Sequence, residues 1–428
     1  MEKIFCVGLG KLGLIFAHIL ANNGCKVLGF DNNFEIENDI KKNIKSTEPK
    51  LNFLINKNKK RFFFTKKIKE AVDETNCTFI IVPTPSKKNF EFDNKYIINT
   101  LDNICSCLKN KKKYLINITS TVNPGSCDYF IKYIENKFDL RHGKQFILTY
   151  NPHLIALGSI YKNVLYNDLV IIGSNLSEGH IILKRIYKNI YKKNIDKLKF
   201  LSLKEAEIAK IAINSYVTMK ISFTNTISQI ADVENNINVS KILNAIGADE
   251  RIGKKYLELG ALFSGPCFPR DNLNFTHYLK KNKLKSYIPE AIDRTNNSQI
   301  RRYVNFFDKY KKYLKGKITI GICGLNYKEN TNLAEKSPGE QLFKYYKKKY
   351  PIVVYDDIKP LTDYKFEYTD NIKYFFNKSN FIFICYKNKK FQKIEKLKSK
   401  SNKVIIDMWN YINLKQRNII LKKIGVNE

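Results

Sequence analysis

The chain is poor in acidic residues, sparse in arginine and devoid of long apolar runs. Forty aspartates and glutamates face 75 lysines and arginines, a net charge of +35 over 428 residues. No apolar stretch approaches the ~18 residues a bilayer-spanning helix needs, so no membrane partner is expected. The nine cysteines form no Cys-x-x-Cys pair and no zinc-like spacing, which excludes a metal-ribbon module. Most lie in apolar runs, as Cys6 does in Ile4-Phe5-Cys6-Val7, and read as reduced core thiols of a cytosolic protein. A strand expected from Lys3 and a glycine turn at Gly8 leave no room for a signal peptide, so a cytoplasmic location is expected. With few arginines and no recognisable RNA- or DNA-binding module, the basic surplus does not point to nucleic acid. Lysine spread along the whole length reads as solvated surface that also attracts anionic substrates.

What is present suits a folded chain of two or three domains: 43% of residues are hydrophobic and 13% aromatic. From residue 3 to about 175, short apolar runs alternate with amphipathic segments, the pattern of a doubly wound parallel sheet. Strands are expected at Ile4–Val7, Val27–Phe30, Thr78–Val82, Tyr114–Ile118, Phe146–Thr149 and Leu169–Ile172. Between about 200 and 312 strands disappear, and helices are expected over Leu203–Val233, Ser240–Ile246 and Pro289–Tyr313. Such a block commonly serves as a spine and subunit interface. Alternation returns from Lys317, with strands at Ile318–Cys323, Ile352–Tyr355, Phe381–Ile384 and Val404–Asp407.

Gly8-Leu9-Gly10-Lys11-Leu12-Gly13 follows the first strand and opens a helix. The first glycine permits a tight turn, the second lets a pyrophosphate approach, and the third lets helix pack on strand. Asp31, eighteen residues past Gly13, ends the second expected strand. A carboxylate there binds ribose hydroxyls and repels a 2′-phosphate, and no arginine follows it, so NAD is expected over NADP. The expected architecture is therefore α/β, with two Rossmann-like doubly wound parallel-sheet domains (1–200 and 316–428) joined by a central all-helical segment (201–315). Val82-Pro83-Thr84-Pro85 and Ser120-Thr121-Val122-Asn123-Pro124-Gly125 follow strands where such sheets place ligands, although ordinary turn chemistry would produce the same residues.

Two further segments carry chemistry. In Gly265-Pro266-Cys267-Phe268-Pro269-Arg270-Asp271, the glycine and prolines argue against regular structure and imply a shaped loop that interrupts the helical block. A free cysteine is ordinarily a small buried hydrophobe, but in a shaped loop it becomes a candidate site. Lys210 is the only charge in Ile208–Val217 and shares a helix face with Asn214, four residues on. The pair could stabilise an alkoxide, or Lys210 could simply snorkel at the helix edge.

Together these segments resemble the UDP-glucose/GDP-mannose dehydrogenase family, the nucleotide-sugar 6-dehydrogenases. The likeness runs in order through the glycine motif, Glu48-Pro49, Val82-Pro83-Thr84-Pro85, Ser120-Thr121, Asn151-Pro152, Lys210 to Asn214, Asp249 to Gly253, Gly265 to Asp271 and Gly324-Leu325-Asn326-Tyr327-Lys328. The resemblance implies oxidation of a sugar C6 alcohol to a carboxylate with two NAD, UDP-glucose being the expected substrate ahead of UDP-N-acetylhexosamines and GDP-mannose. It implies a role in polysaccharide biosynthesis. By the same resemblance Gly8, Gly10, Leu12, Gly13, Asp31, Thr84 and Thr121 hold NAD, and Cys267 is the covalent nucleophile. Lys210 and Asn214 would steady the negative oxygen, while Asp271 and Thr121 would hold a water or shuttle protons. Arg251 would contact the sugar from a neighbouring subunit of a homodimer, Tyr256, Gly260 and Phe263 would form the adjoining substrate loop, and Lys328 would meet the nucleotide phosphates. No metal is required.

The pattern departs from the family at His153 and Leu157, where glutamates are usual, at Ser264, where a glycine is usual, and near Glu335, where an arginine is missing. The first glutamate is implicated in thioester hydrolysis. An imidazole could activate water in its place, another group could do so, or slow hydrolysis could leave a thioester open to an amine. Two other readings compete: a β-hydroxyacid-type dehydrogenase, which needs neither Cys267 nor a second α/β domain, and an inactive nucleotide-sugar-binding homologue.

Overall fold

A computed structural model describes residues 1–41, 48–191 and 194–427 of the chain, which divides into two compact units, Met1–Ala212 and Ile213–Glu428. The first unit holds strands β1 (Lys3–Val7), β2 (Lys26–Phe30), β3 (Phe62–Phe64), β4 (Cys77–Ile80), β5 (Tyr114–Ile118), β6 (Phe146–Tyr150), β7 (Val170–Gly173) and β8 (Leu198–Leu201). Its helices are α1 (Lys11–Asn22), α2 (Glu35–Lys41), α3 (Leu51–Lys57), α4 (Ile68–Glu74), α5 (Lys95–Cys105), α6 (Ser126–Phe138), α7 (Ile160–Leu165) and α8 (Ser177–Tyr191). The strands form one sheet in the order β3-β2-β1-β4-β5-β6-β7-β8. Strands β4 and β5 are buried along their whole length, as strands covered by helices on both faces should be, and their two polar residues, Thr78 and Asn117, are hydrogen-bonded to Tyr114 and to Thr119 and Thr149. Helix α1 is buried from Gly13 to Ala21, so Phe16, Ile19 and Leu20 join Ile4, Cys6, Val27 and Phe79 in the core.

The six expected strands lie within two residues of those observed, whereas β3 and β8 escape the pattern. Both are short edge strands with exposed positions: β3 is only the three residues Phe62–Phe64, and in β8 Lys199 breaks the apolar run. The sheet is also not wholly parallel: β6 meets β7 in antiparallel sense at Tyr150 and Gly173.

Helix α9 (Leu203–Ser228) carries the chain from the first unit into the second. There follow β9 (Ile237–Asn238), α10 (Val239–Ala248), α11 (Phe268–Lys281), α12 (Tyr287–Tyr310), β10 (Ile320–Cys323), α13 (Pro338–Tyr346), β11 (Ile352–Tyr355), β12 (Glu367–Thr369), α14 (Ile372–Lys378), β13 (Phe381–Ile384), β14 (Lys403–Asp407), β15 (Ile419–Lys423) and β16 (Val426–Asn427). A second parallel sheet runs β12-β11-β10-β13-β14-β15. Tyr303, Phe306 and Phe307 of α12 pack on one of its faces with Ile320, Ile322, Phe381 and Phe383. Phe375, Phe376, Ile382, Ile384 and Phe391 pack together in a second cluster.

The central segment is helical as expected, apart from the two-residue β9, which pairs antiparallel with β16 through Asn238–Val426 and Ile237–Asn427. A two-residue strand supplied by a distant partner leaves no periodicity to detect. The expected loop is present but ends at Cys267, the N-cap of α11, so that Pro269 falls in the first turn, where no N–H is needed.

Candidate functional site

In the first unit the glycine motif behaves as its spacing demands. Gly8 adopts φ +93°, and a Cβ on it would lie 2.5 Å from the Ile81 carbonyl oxygen. A Cβ on Gly13 would overlap the Gly8 carbonyl, so only glycine lets α1 pack this closely on β1. Gly10 has no neighbouring atom within 4 Å in that direction, leaving open space beside the N-terminus of α1. The Leu9 amide donates to Asp31 Oδ2 at 2.6 Å and the Asn33 amide to Asp31 Oδ1 at 2.8 Å. This arrangement fits a dinucleotide: room for a pyrophosphate at Gly10, and a carboxylate locked at the end of β2 for ribose hydroxyls.

The loops past β4 and β5 are joined. Thr84 Oγ1 donates to the Thr121 carbonyl at 2.8 Å, and Ser120 Oγ donates to the Val82 carbonyl at 2.6 Å. Glu207, fully buried on α9, accepts from the Gly125 amide at 2.5 Å and the Cys127 amide at 2.7 Å, fixing the start of α6. Sequence reasoning missed this glutamate, although it lies one turn before Lys210, itself buried. Glu48 plays a similar part, accepting from the Gly158 and Ile160 amides at 2.7 and 2.6 Å.

His153 is buried, its ring 4.4 Å from that of Phe16, and its Nε2 meets no hydrogen-bond partner among the described residues. Burial pushes its pKa down to about 4. Leu157 packs against the same core.

In the second unit Cys267 heads α11, and the Asp271 amide closes the first turn on the Cys267 carbonyl at 2.8 Å. The Asp271 carboxylate is fully buried; Asn214 Nδ2 donates to its Oδ2 at 2.6 Å, and Arg270 Nε donates to its Oδ1 at 3.0 Å. Arg270 is also near enough to Cys267 to be drawn to a thiolate there, and sequence reasoning passed it over although it stands beside Asp271 in the motif. A helix N-terminus and a guanidinium both favour negative charge nearby.

The loop before Cys267 is held by the second sheet's own loops. The Gly265 amide donates to the Glu335 carbonyl at 2.9 Å, and the Tyr327 ring lies where a Gly265 side chain would go. Lys328 Nζ lies 5.8 Å from the centre of that ring. Phe263 is buried and exchanges two hydrogen bonds with the Asn296 side chain, at 2.8 and 3.0 Å. Gly260 faces the ring of Trp409, whose Nε1 donates to the Cys385 carbonyl at 2.9 Å. Trp409, the only tryptophan, is another participant that no motif flagged. Tyr256 is exposed at φ +64°. Arg251 is also exposed, held bidentate by Asp249 at 2.9 and 2.6 Å.

Among the described residues no group of three or more His, Cys, Asp or Glu could hold a metal, and no helix is long and apolar enough to cross a membrane.

A glycine turn locked by an aspartate at the strand ends of a doubly wound sheet defines a Rossmann-type dinucleotide-binding protein. The chain belongs to the UDP-glucose/GDP-mannose dehydrogenase family, whose NAD binding domain matches residues 2–191 and whose central domain matches residues 204–298. It is thus an NAD-binding nucleotide-sugar dehydrogenase. It is 32% identical over 349 residues to a UDP-glucose 6-dehydrogenase of Rickettsia bellii, covering 80% of this chain and 77% of that one. The fold is similar to a UDP-glucose dehydrogenase of Pyrobaculum islandicum, with TM-score 0.86, 25% identity and coverage of 99% and 97%. It is also similar to a UDP-D-ManNAc dehydrogenase of Pyrococcus horikoshii, with TM-score 0.84, 22% identity and 99% of both chains covered.

Proposed function

We propose that this protein oxidises the C6 hydroxyl of UDP-glucose to the carboxylate of UDP-glucuronate through a thioester on Cys267. The observation that carries the reading is the Asn214–Asp271 hydrogen bond, which ties the Lys210 helix to the first turn behind Cys267. NAD, when bound, accepts the electron pair released in each of two oxidations. The first oxidation removes the C6 hydrogen with its electrons and the hydroxyl proton, giving an aldehyde. The Cys267 thiolate then bonds to C6, and the resulting oxygen is steadied by Lys210 and Asn214. A second oxidation of that thiohemiacetal yields the thioester. Water adds to C6, the C6–S bond breaks with its electrons returning to sulfur, and the carboxylate is released.

We assign the water step to Asp271, with Thr121 as a proton shuttle, and not to His153. A desolvated imidazole with a pKa near 4 is a weak base at neutral pH. Arg251, Tyr256, Gly260 and Phe263 would grip the sugar and Lys328 the diphosphate. A homodimer sharing Arg251 is supported by exposed Tyr216 and Phe223 on one face of α9.

The test is a panel of nucleotide sugars assayed for NADH and for product mass. UDP-glucose should give two NADH per UDP-glucuronate, and Cys267→Ala should abolish the acid. Undiminished hydride transfer in Cys267→Ala with a small hydroxyacid, and none with any nucleotide sugar, would overturn the reading.

A further inference from the structure

A helix packed against a protein ordinarily buries an apolar stripe, but α11 does not. Its buried positions are Pro269, Asp271, Asn272 and Asn274, three of them polar. Its seating is therefore set by hydrogen bonds, which are directional, more than by apolar contact. Two of those bonds run to α9 as consecutive rungs. Asn214 Nδ2 donates to Asp271 Oδ2 at 2.6 Å, and Ser215 Oγ donates to Asn272 Oδ1 at 2.7 Å. The other end of the Asn272 amide turns to α12, where its Nδ2 donates to the Pro289 carbonyl at 2.9 Å. The half-buried Asp293 carboxyl of α12 also meets that amide; burial pushes it up, and the Asn272 amide and Lys336 pull it back. Asn272 and Ser215 are both buried.

One rung leaves a helix free to roll about it. Two rungs from adjacent residues, about 100° apart around the helix, fix its roll and its axial register together. Asn272 thus joins three helices with one planar group. An amide accepts from a hydroxyl and donates to a carbonyl at once, which neither an aliphatic side chain nor an ionised carboxylate does. Cys267 lies one turn before Asp271, whose amide closes on the Cys267 carbonyl at 2.8 Å, so a roll of α11 carries Cys267 with it. A roll of about 20° would move a Cα on the ~2.3 Å helix cylinder by about 0.8 Å. A reacting atom misplaced by about 1 Å can cost about 100-fold in rate.

Resting on the reading of Cys267 as the nucleophile, we propose that Asn272 is a positioning residue: its bonds to Ser215 and Pro289 set the roll of α11 and so the placement of Cys267. Asn272→Leu should lower kcat for the nucleotide sugar on the order of 10- to 100-fold, with KM for NAD changed less than about twofold. Ser215→Ala, which removes only the α9 end of the rung, should lower kcat less, and the double variant should fall no further than Asn272→Leu alone. Asn272→Asp supplies a pH signature. Beside the Asp271 and Asp293 carboxylates and the Pro289 carbonyl, with Arg270 and Lys336 the cations at hand, the buried carboxyl holds its proton and then makes both bonds of the amide. Its kcat relative to the parent's should stay near one at about pH 6 and fall about tenfold by about pH 9, as the proton is lost. Iodoacetamide labelling of Cys267, mapped by mass without substrate against Cys107, the other half-buried thiol, reads placement apart from turnover. In Asn272→Leu it should slow about threefold or more, because the first turn that favours the thiolate has lost its anchor. A parent that oxidises no nucleotide sugar would sink the proposed function and leave the labelling to decide this one. Equal Cys267 labelling in a folded Asn272→Leu protein, or an Asn272→Asp ratio that stays flat with pH, overturns the proposal.

Discussion

Two histidines in the first unit make its stability acid-sensitive. His18 is 2% exposed against the Phe62 ring at 4.2 Å, and neither of its ring nitrogens meets a hydrogen-bond partner among the described residues. Desolvation pushes both His18 and His153 down to about 4. A histidine in an unfolded chain titrates near ~6.5, so between the two values the unfolded state binds more protons. The stabilisation is therefore complete above pH ~6.5 and is lost as pH falls toward 4, by about 3 kcal/mol for each residue. Urea midpoints at pH 7 and pH 4.5 should differ less in His18→Leu than in the parent; an unchanged difference would mean that His18 is not buried in neutral form. His153→Ala should lower stability yet keep the ratio of two NADH per acid. Accumulation of a Cys267 adduct in that variant would return His153 to the water step. The motif made His153 a candidate base because sequence alone does not show which side chains cover a position; Phe16, from α1, does so here.

Helix ends, more than helix interiors, hold the candidate site together. Glu207 satisfies two amides at the start of α6 and so anchors the segment that contains Thr121 to α9. Glu207→Ala would take the acceptor from the buried Cys127 amide and the half-buried Gly125 amide and should cost about 2–4 kcal/mol by denaturant titration, with weaker NAD binding. Equal NAD affinity in a destabilised variant would show that the loop keeps its shape unaided. Interiors were legible from their apolar runs, since β11 and β13 are uninterrupted and β4 and β5 are each broken by one buried polar residue, Thr78 or Asn117. Ends were less so. Cys267 was legible as a candidate from its glycine and prolines, but those same residues hid the helix it caps, because proline is as compatible with a first turn as with a loop. Arg270 was marked only by its place beside Asp271, its partner, whereas Trp409 acquires its role from Gly260 and Cys385, brought to it by tertiary structure.

At the scale of the whole molecule, the two parallel sheets were visible in the sequence as two blocks of alternation, while their common strand order and their edge strands came only from the structure. Net charge acts at this scale too. With 75 basic residues against 40 acidic, the chain presents a positive field to ligands that are all anionic, NAD and nucleotide sugar alike. Exposed pairs such as Lys67–Glu70 at 2.6 Å neutralise part of it, but the lysines outnumber their partners. Ionic strength shortens the Debye length from about 30 Å at 0.01 M to about 10 Å at 0.1 M, so the long-range attraction should fade over that range. The chemistry at Cys267, once ligands are bound, involves short contacts that salt screens poorly. Raising salt from about 10 to 200 mM should therefore raise KM for both ligands several-fold, on the order of 3–10, with kcat changed less than about twofold. Flat KM values across that range, measured by initial NADH formation, would mean that the lysine surplus is only solvated surface and that substrate capture relies on local contacts alone.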